Sequence, residues 1–148
     1  MFAPPDLLRL PDPVTQAEFY SGTVAKRAFS WVIDVLIVGL MTGVVAVLTL
    51  GVGFFFLPVI YVVISFLYRV VTLAGGSATL GMRVMNIEFL TRNGERFDLS
   101  HALLHTIGYT LSIGTMLVQL LSIALMMMSA RGQGLTDHVL GTVVINRA

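Results

Sequence analysis

The sequence predicts an all-α membrane protein: a multi-helix transmembrane bundle with a small cytoplasmic β-hairpin or three-stranded β element. Three observations predict it. From Ala28 to Tyr68 the chain runs 41 residues with a single charged side chain, Asp34. As one helix that run would be roughly 60 Å long, about twice the ~30 Å hydrocarbon core of a bilayer, so it divides into two crossings. Composition is the second observation: 56% of the 148 residues are hydrophobic, only 11% are charged, and mean hydropathy is +0.89. Soluble domains carry about 25% charged residues, and so few charges cannot cover the surface of a soluble protein of this size. The third is where the cations fall. Lys26, Arg27, Arg69, Arg83, Arg92 and Arg96 flank the apolar run, whereas the turn at Gly51-Val52-Gly53 has none. The positive-inside rule then places the N-terminus in the cytoplasm.

Composition also excludes function classes. A net charge of +1 gives no field for nucleic acid or acidic partners. The absence of cysteine removes disulfides, thiol catalysis and cysteine-ligated metals. The N-terminus is acidic and proline-rich, unlike a cleavable signal peptide, and length suggests one domain.

The elements follow in order. Residues 1–20 hold four of the five prolines, Pro4, Pro5, Pro11 and Pro13, and read as an irregular tail or a segment lying on the membrane surface. The first helix is expected at about 24–50. Lys26 and Arg27 mark its polar start, and Trp31 sits one turn inside, in the interfacial aromatic belt. Gly39 and Gly43 form a G-x-x-x-G step, a spacing that lets another helix approach closely. The second helix is expected at about 54–72. Pro58 is tolerated in its first turn, and Tyr68 and Arg69 mark its exit. Gly75-Gly76 breaks the helix. Two strand-like runs, 84–90 and 95–99, flank Asn93-Gly94, a strong short-range hairpin signal. Thr142-Val143-Val144-Ile145 supplies a candidate third strand. The apolar region at about 101–129 is expected to bend near Ser112-Ile113-Gly114 and return the C-terminus to the cytoplasmic side. Each arm is short for a full span but adequate for tilted or re-entrant helices.

Candidate sites are few. A charge inside a membrane helix costs several kcal/mol unless it is paired or wetted, so Asp34 needs a partner. Arg27 lies seven residues earlier on the same helix face, about 10 Å away, too far for easy contact. Asp137, if the C-terminal region returns, reaches Arg27. His101 and His105 have a legal i, i+4 metal spacing, but no third ligand is evident. Gln119, amid apolar residues, is expected to hydrogen-bond across helices. Met126-Met127-Met128 reads as packing. Gly75-Gly76 and Gly132-Gln133-Gly134 lack the context of a phosphate loop. No cofactor motif and no enzyme-like nucleophile–base pair is present, so an enzyme is not expected.

Three motifs carry a resemblance: Tyr20-Ser21-Gly22 through Arg27 to Asp34, then Ala78-Thr79-Leu80-Gly81-Met82-Arg83, then Gly134-Leu135-Thr136-Asp137 with Gly141-Thr142-Val143-Val144. In order and spacing the chain resembles the RDD family of small bacterial inner-membrane proteins, named for an arginine and two aspartates, here Arg27, Asp34 and Asp137. The resemblance spans about Tyr20 to Ile145 and implies a membrane domain at 21–146 after the tail at 1–20. Two departures stand out. The family often carries T-P-G-K-R where this chain has Thr79-Leu80-Gly81-Met82-Arg83. It also often carries several basic residues before the second aspartate, where only Arg131 stands here. The resemblance implies a transport role. The charges themselves admit two readings: a satisfied polar lock that fixes helix packing, or a cation or proton site at Asp34. Two functions follow. One is ion or small-solute transport by an oligomer, since one short chain can hardly enclose a pathway. The other is service as an accessory or assembly subunit of a larger membrane complex. The expected partners are the lipid bilayer and either further copies of the chain or a larger complex.

Overall fold

The computed structural model describes residues 10–147, so Pro4 and Pro5 of the expected tail lie outside the described residues. Six helices and one two-stranded sheet make up the fold: α1 (Thr23–Leu48), α2 (Leu57–Gly76), α3 (Leu80–Val84), β1 (Ile87–Leu90), α4 (Leu99–Gly114), α5 (Met116–Met128), α6 (Leu135–Leu140) and β2 (Val143–Asn146). Short 3₁₀ turns cover Ala17–Phe19 and Val52–Phe56.

Helices α1 and α2 form the membrane-spanning hairpin. At 26 and 20 residues they are about 39 and 30 Å long, enough to cross a bilayer. Only 22% and 17% of their most apolar windows are buried within the chain, so most of their side chains need lipid or another protein surface. The buried face of α1 includes Ser30, Asp34, Val38, Thr42 and Ala46, one residue per turn. That face is mostly small or polar, while Phe29, Leu36, Leu40 and Leu48 point outward. This is the pattern a helix adopts when its solvent is hydrocarbon: the apolar face meets the solvent and the polar groups satisfy one another inside.

The second helix extends beyond its expected end. Tyr68 and Arg69 do not mark an exit; both are buried, and α2 continues through Gly75 to Gly76. The chain leaves the helix at Ser77, whose backbone is left-handed at φ +59°. The apolar residues after Arg69, Val70-Val71-Thr72-Leu73, carry the helix on.

The expected hairpin does not form. β1 pairs with β2 in an antiparallel register, Phe89 opposite Val144 and Leu90 opposite Val143. The turn around Asn93-Gly94 does close, with the Thr91 N–H donating to the Glu95 carbonyl at 2.8 Å. Residues 95–99 are then diverted by Ser77. The Ser77 hydroxyl donates to the Phe89 carbonyl (2.6 Å) and accepts from the Phe97 N–H (2.8 Å). The Ser77 carbonyl takes the Phe89 N–H as well. The edge of β1 that a hairpin partner would need is therefore occupied by one residue at the end of α2. Phe97 stacks on Phe89 instead, with ring centroids 4.9 Å apart, and Asp98 caps α4 by accepting from the His101 N–H. The sheet has two strands, the second being the C-terminal run.

The apolar core lies at this end of the molecule rather than between the long helices. One face of the sheet packs Ile87, Phe89 and Val144 against Leu73, Met82 and Ala102. The other packs Leu90, Val143 and Ile145 against Tyr20, Phe19 and Leu10. The described part of the N-terminal segment is thus folded onto the sheet. The Tyr20 hydroxyl donates to the Pro11 carbonyl, and the Asn146 amide donates to the carbonyls of Glu18 and Ser21.

Helices α4 and α5 form the bent element the sequence predicts. They meet at Thr115 with a 118° bend. Neither arm, at about 24 and 20 Å, spans a bilayer alone. The bend brings the chain back, so β2 and α6 sit at the end of the bundle where α1 begins. The Lys26 ammonium donates to Asn146 there at 2.6 Å.

Candidate functional site

Two carboxylates are buried where α1 meets the returning elements. Asp34 is 6% exposed. Its Oδ1 accepts from the Tyr68 hydroxyl (2.6 Å) and the Gly81 N–H (2.9 Å), and its Oδ2 accepts from the Thr79 hydroxyl (2.7 Å). These donors come from α2, from the N-cap of α3 and from α3 itself, so one carboxylate ties three elements together. Gly81 is required by the approach: a Cβ there would fall 2.2 Å from the Ser30 carbonyl oxygen and 2.7 Å from Asp34 Oδ1.

Asp137 is 1% exposed and stands in the first turn of α6. Its Oδ2 pairs with the Arg27 guanidinium at 2.6 Å and accepts from the Gly134 N–H at 3.1 Å. Its Oδ1 meets His105 Nε2 at 2.9 Å and accepts from the Thr142 hydroxyl at 2.8 Å. Burial pushes the Asp137 carboxyl up, but the adjacent Arg27 charge and the hydrogen bonds from His105 and Arg27 outweigh it and hold the group below the ordinary carboxylate range. Arg27 also donates to the Gly132 carbonyl and lies over the Phe89 ring, 5.5 Å from its centroid. The structure therefore joins Arg27 to Asp137 and leaves Asp34 deeper, on hydroxyl and backbone donors.

Several members of this site carried no clear sequence signal. Tyr68 and Arg69 look like interfacial residues in sequence and are interior ones in space. His105 turns to Asp137 while His101 turns to Asp98, so the two do not converge. Among the described residues no three His, Cys, Asp or Glu side chains form a metal-binding group. Thr79 and Gly81 lay within a recognised motif, but which carboxylate they serve is a matter of tertiary contact. Gln119 meets Ser112 across the α4–α5 bend at 2.9 Å. Gly39 and Gly43 make no close helix contact among the described residues: a Cβ at either would meet nothing within 4 Å, and both line a shallow cleft whose other side is Pro58 and Tyr61 of α2.

Beside the carboxylates is a cavity of about 510 Å³. It lies between α1 and the α4–α5 elbow. Asp34, Arg69 and His105 contribute to its inner wall, and Ile113, Met116 and Leu120 to its mouth. The Trp31 indole bridges the gap by donating to the Tyr109 hydroxyl at 2.8 Å. Arg69 is 8% exposed, and its guanidinium stacks on the Tyr109 ring at 3.8 Å.

Fold and site together define a small membrane protein whose apolar helices lie in a bilayer and whose polar groups are collected inside. The model of the RDD family matches residues 21–141, and the chain belongs to that family. No curated protein and no solved structure matches the chain significantly.

Proposed function

We propose that this chain is a non-catalytic, multi-pass inner-membrane subunit that serves as an accessory or assembly component of a larger membrane complex. In this reading Arg27, Asp34 and Asp137 are its structural lock. The observation that carries the reading is that the chain itself supplies both carboxylates with their donors. Asp34 accepts three donors and Asp137 four, all from the chain itself. A cation binding at Asp34 would have to displace hydrogen bonds that hold α1, α2 and α3 together, and a carboxylate so supplied gains little from a new partner. The positive-inside rule orients the end bearing Lys26, Arg27 and Arg96 toward the cytoplasm. The large apolar area of α1 and α2 left uncovered by the chain supports a subunit with neighbours.

A second reading is ion or small-solute transport by an oligomer, favoured by the position of Asp34 on a cavity wall. Asp34→Asn separates the two. The lock reading expects a loss of about 1–3 kcal/mol in stability, from mismatched buried hydrogen bonds, seen as a lower thermal midpoint in detergent and a lower membrane level. An Asp34→Asn protein with wild-type stability that has lost a cation flux in proteoliposomes would sink the lock reading and leave transport.

A further inference from the structure

Arg69 is a buried cation with no ion-pair partner in the described chain; the Asp34 carboxylate acts on it through space from the same cavity wall but does not touch it. Among the described residues it has neither an ion pair nor a hydrogen bond, and its buried Nε meets no acceptor. Arg27, which is partly buried, pairs through Nη1 with Asp137 and also donates from it to the Gly132 carbonyl. Asp34 is taken by its three donors and forms no ion pair with Arg69. A guanidinium carries five N–H donors and no acceptor, and burying it unmatched costs several kcal/mol. Tyr109 covers one face of the group and fixes it in place, and Trp31 fixes Tyr109 in turn. Arg69 is among the residues that line the cavity.

We propose that this cavity binds an anionic amphiphile, whose carboxylate or phosphate group meets Arg69 and whose alkyl chain leaves through the mouth between α1 and the α4–α5 elbow. Three features fit that chemistry. The volume, about 510 Å³, suits a headgroup with the first part of a chain. The mouth is apolar and faces outward, with Met116 and Leu120 76% and 57% exposed, so a chain leaving it enters hydrocarbon rather than water. Depth agrees as well: Arg69 lies seven residues before the end of α2, about 10 Å inside, and Trp31 and Tyr109 beside it are the residue types that mark the headgroup level. Charge-assisted hydrogen bonds to a planar guanidinium are the strong ones, and an arginine favours carboxylate and phosphate for that reason.

Native mass spectrometry of the full chain, released from nanodiscs, tests this. The probes are phosphatidylglycerol, oleate, the uncharged lipid monoolein, and sodium acetate or inorganic phosphate. One retained phosphatidylglycerol or oleate per chain is expected, with monoolein, which has neither phosphate nor carboxylate, at least about tenfold lower, the discrimination of one charge-assisted hydrogen bond. Phosphatidylglycerol retention alone would assign the site to a membrane lipid, and oleate alone to a free fatty acid. Arg69→Gln should remove the preference. Ala28→Leu, which fills the cavity from the α1 wall and leaves Arg69 intact, should remove retention altogether. Equal retention of the anionic lipids and uncharged monoolein by the wild-type chain would overturn the proposal, even if neither variant folds. So would full competition by acetate or phosphate, since the alkyl chain would then contribute nothing. The lock at Asp34 and Asp137 stands or falls separately.

Discussion

Asp137 gathers four donors from four different places: Arg27 on α1, His105 on α4, Thr142 before β2 and the backbone of Gly134. Asp137→Asn leaves the Arg27 charge buried without its counter-ion, and loss of one partner from a buried pair costs about 3–5 kcal/mol. A fall in thermal midpoint larger than that of Asp34→Asn is expected, because Asp137 pairs directly with an arginine and Asp34 does not. The pH dependence has a definite sign. The folded-state carboxyl is held below its unfolded value, so the folded chain binds fewer protons there. Its contribution is complete above the unfolded pKa of about 3.9 and is lost as pH falls through the folded value. Thermal midpoints should therefore stay level from neutrality to about pH 5 and drop below about pH 4, with a shallower drop in Asp137→Asn. An identical acid profile in the two proteins would show that Asp137 is not the group responsible. At this scale the pairing of Arg27 with Asp137 was legible once the C-terminal region was expected to return, because the return brings Asp137 to the end where Arg27 begins the first helix. The partners of Asp34 were not legible. They are hydroxyls and a backbone amide, and such groups are too common in sequence to single out.

Helix–helix approach is decided at glycine positions, and the three glycines of interest differ sharply. Gly81 sits against the Ser30 carbonyl, and the backbone oxygen there cannot move aside as a flexible side chain would. Gly81→Ala should separate α3 from α1, break the Gly81–Asp34 hydrogen bond and lower the amount of folded protein recovered from membranes. Gly39→Ala and Gly43→Ala place a methyl in open space within a regular helix, where alanine is favoured over glycine by about 0.5–1 kcal/mol. The isolated chain should tolerate both or gain slightly. A loss of assembly in either, with the fold intact, would assign the G-x-x-x-G face to a contact with another chain. Circular dichroism melts in detergent and native gels read the two effects apart. The elements themselves were largely visible in advance. The two spans and the bend near Gly114 follow from hydropathy and breaker residues. The hairpin did not form although its turn did, because Ser77 took up the strand edge that residues 95–99 would have used.

Over the whole molecule the usual arrangement of a small protein is inverted. The apolar core is concentrated around the sheet at one end, while the long helices collect Ser30, Asp34, Thr42 and Arg69 inside and expose leucine, valine and phenylalanine. So much uncovered apolar helix needs lipid or neighbours. Purification in nanodiscs with mass determination separates the possibilities. Stoichiometric recovery with a larger membrane complex is the outcome the accessory reading expects. A symmetric oligomer of this chain alone would favour a transport pathway. Hydropathy, charge placement and breaker residues, read along the sequence, were sufficient for the membrane class, the two apolar spans and the bent third element, and the three motifs for the family. These are local or additive properties that each segment carries wherever it lies. The strand partner of β1, the donors around Asp34 and the burial of Arg69 were decided only by the tertiary structure. Each joins residues about 34 to 59 positions apart, and whether a hydroxyl, an amide or a guanidinium finds a partner depends on which elements close around it.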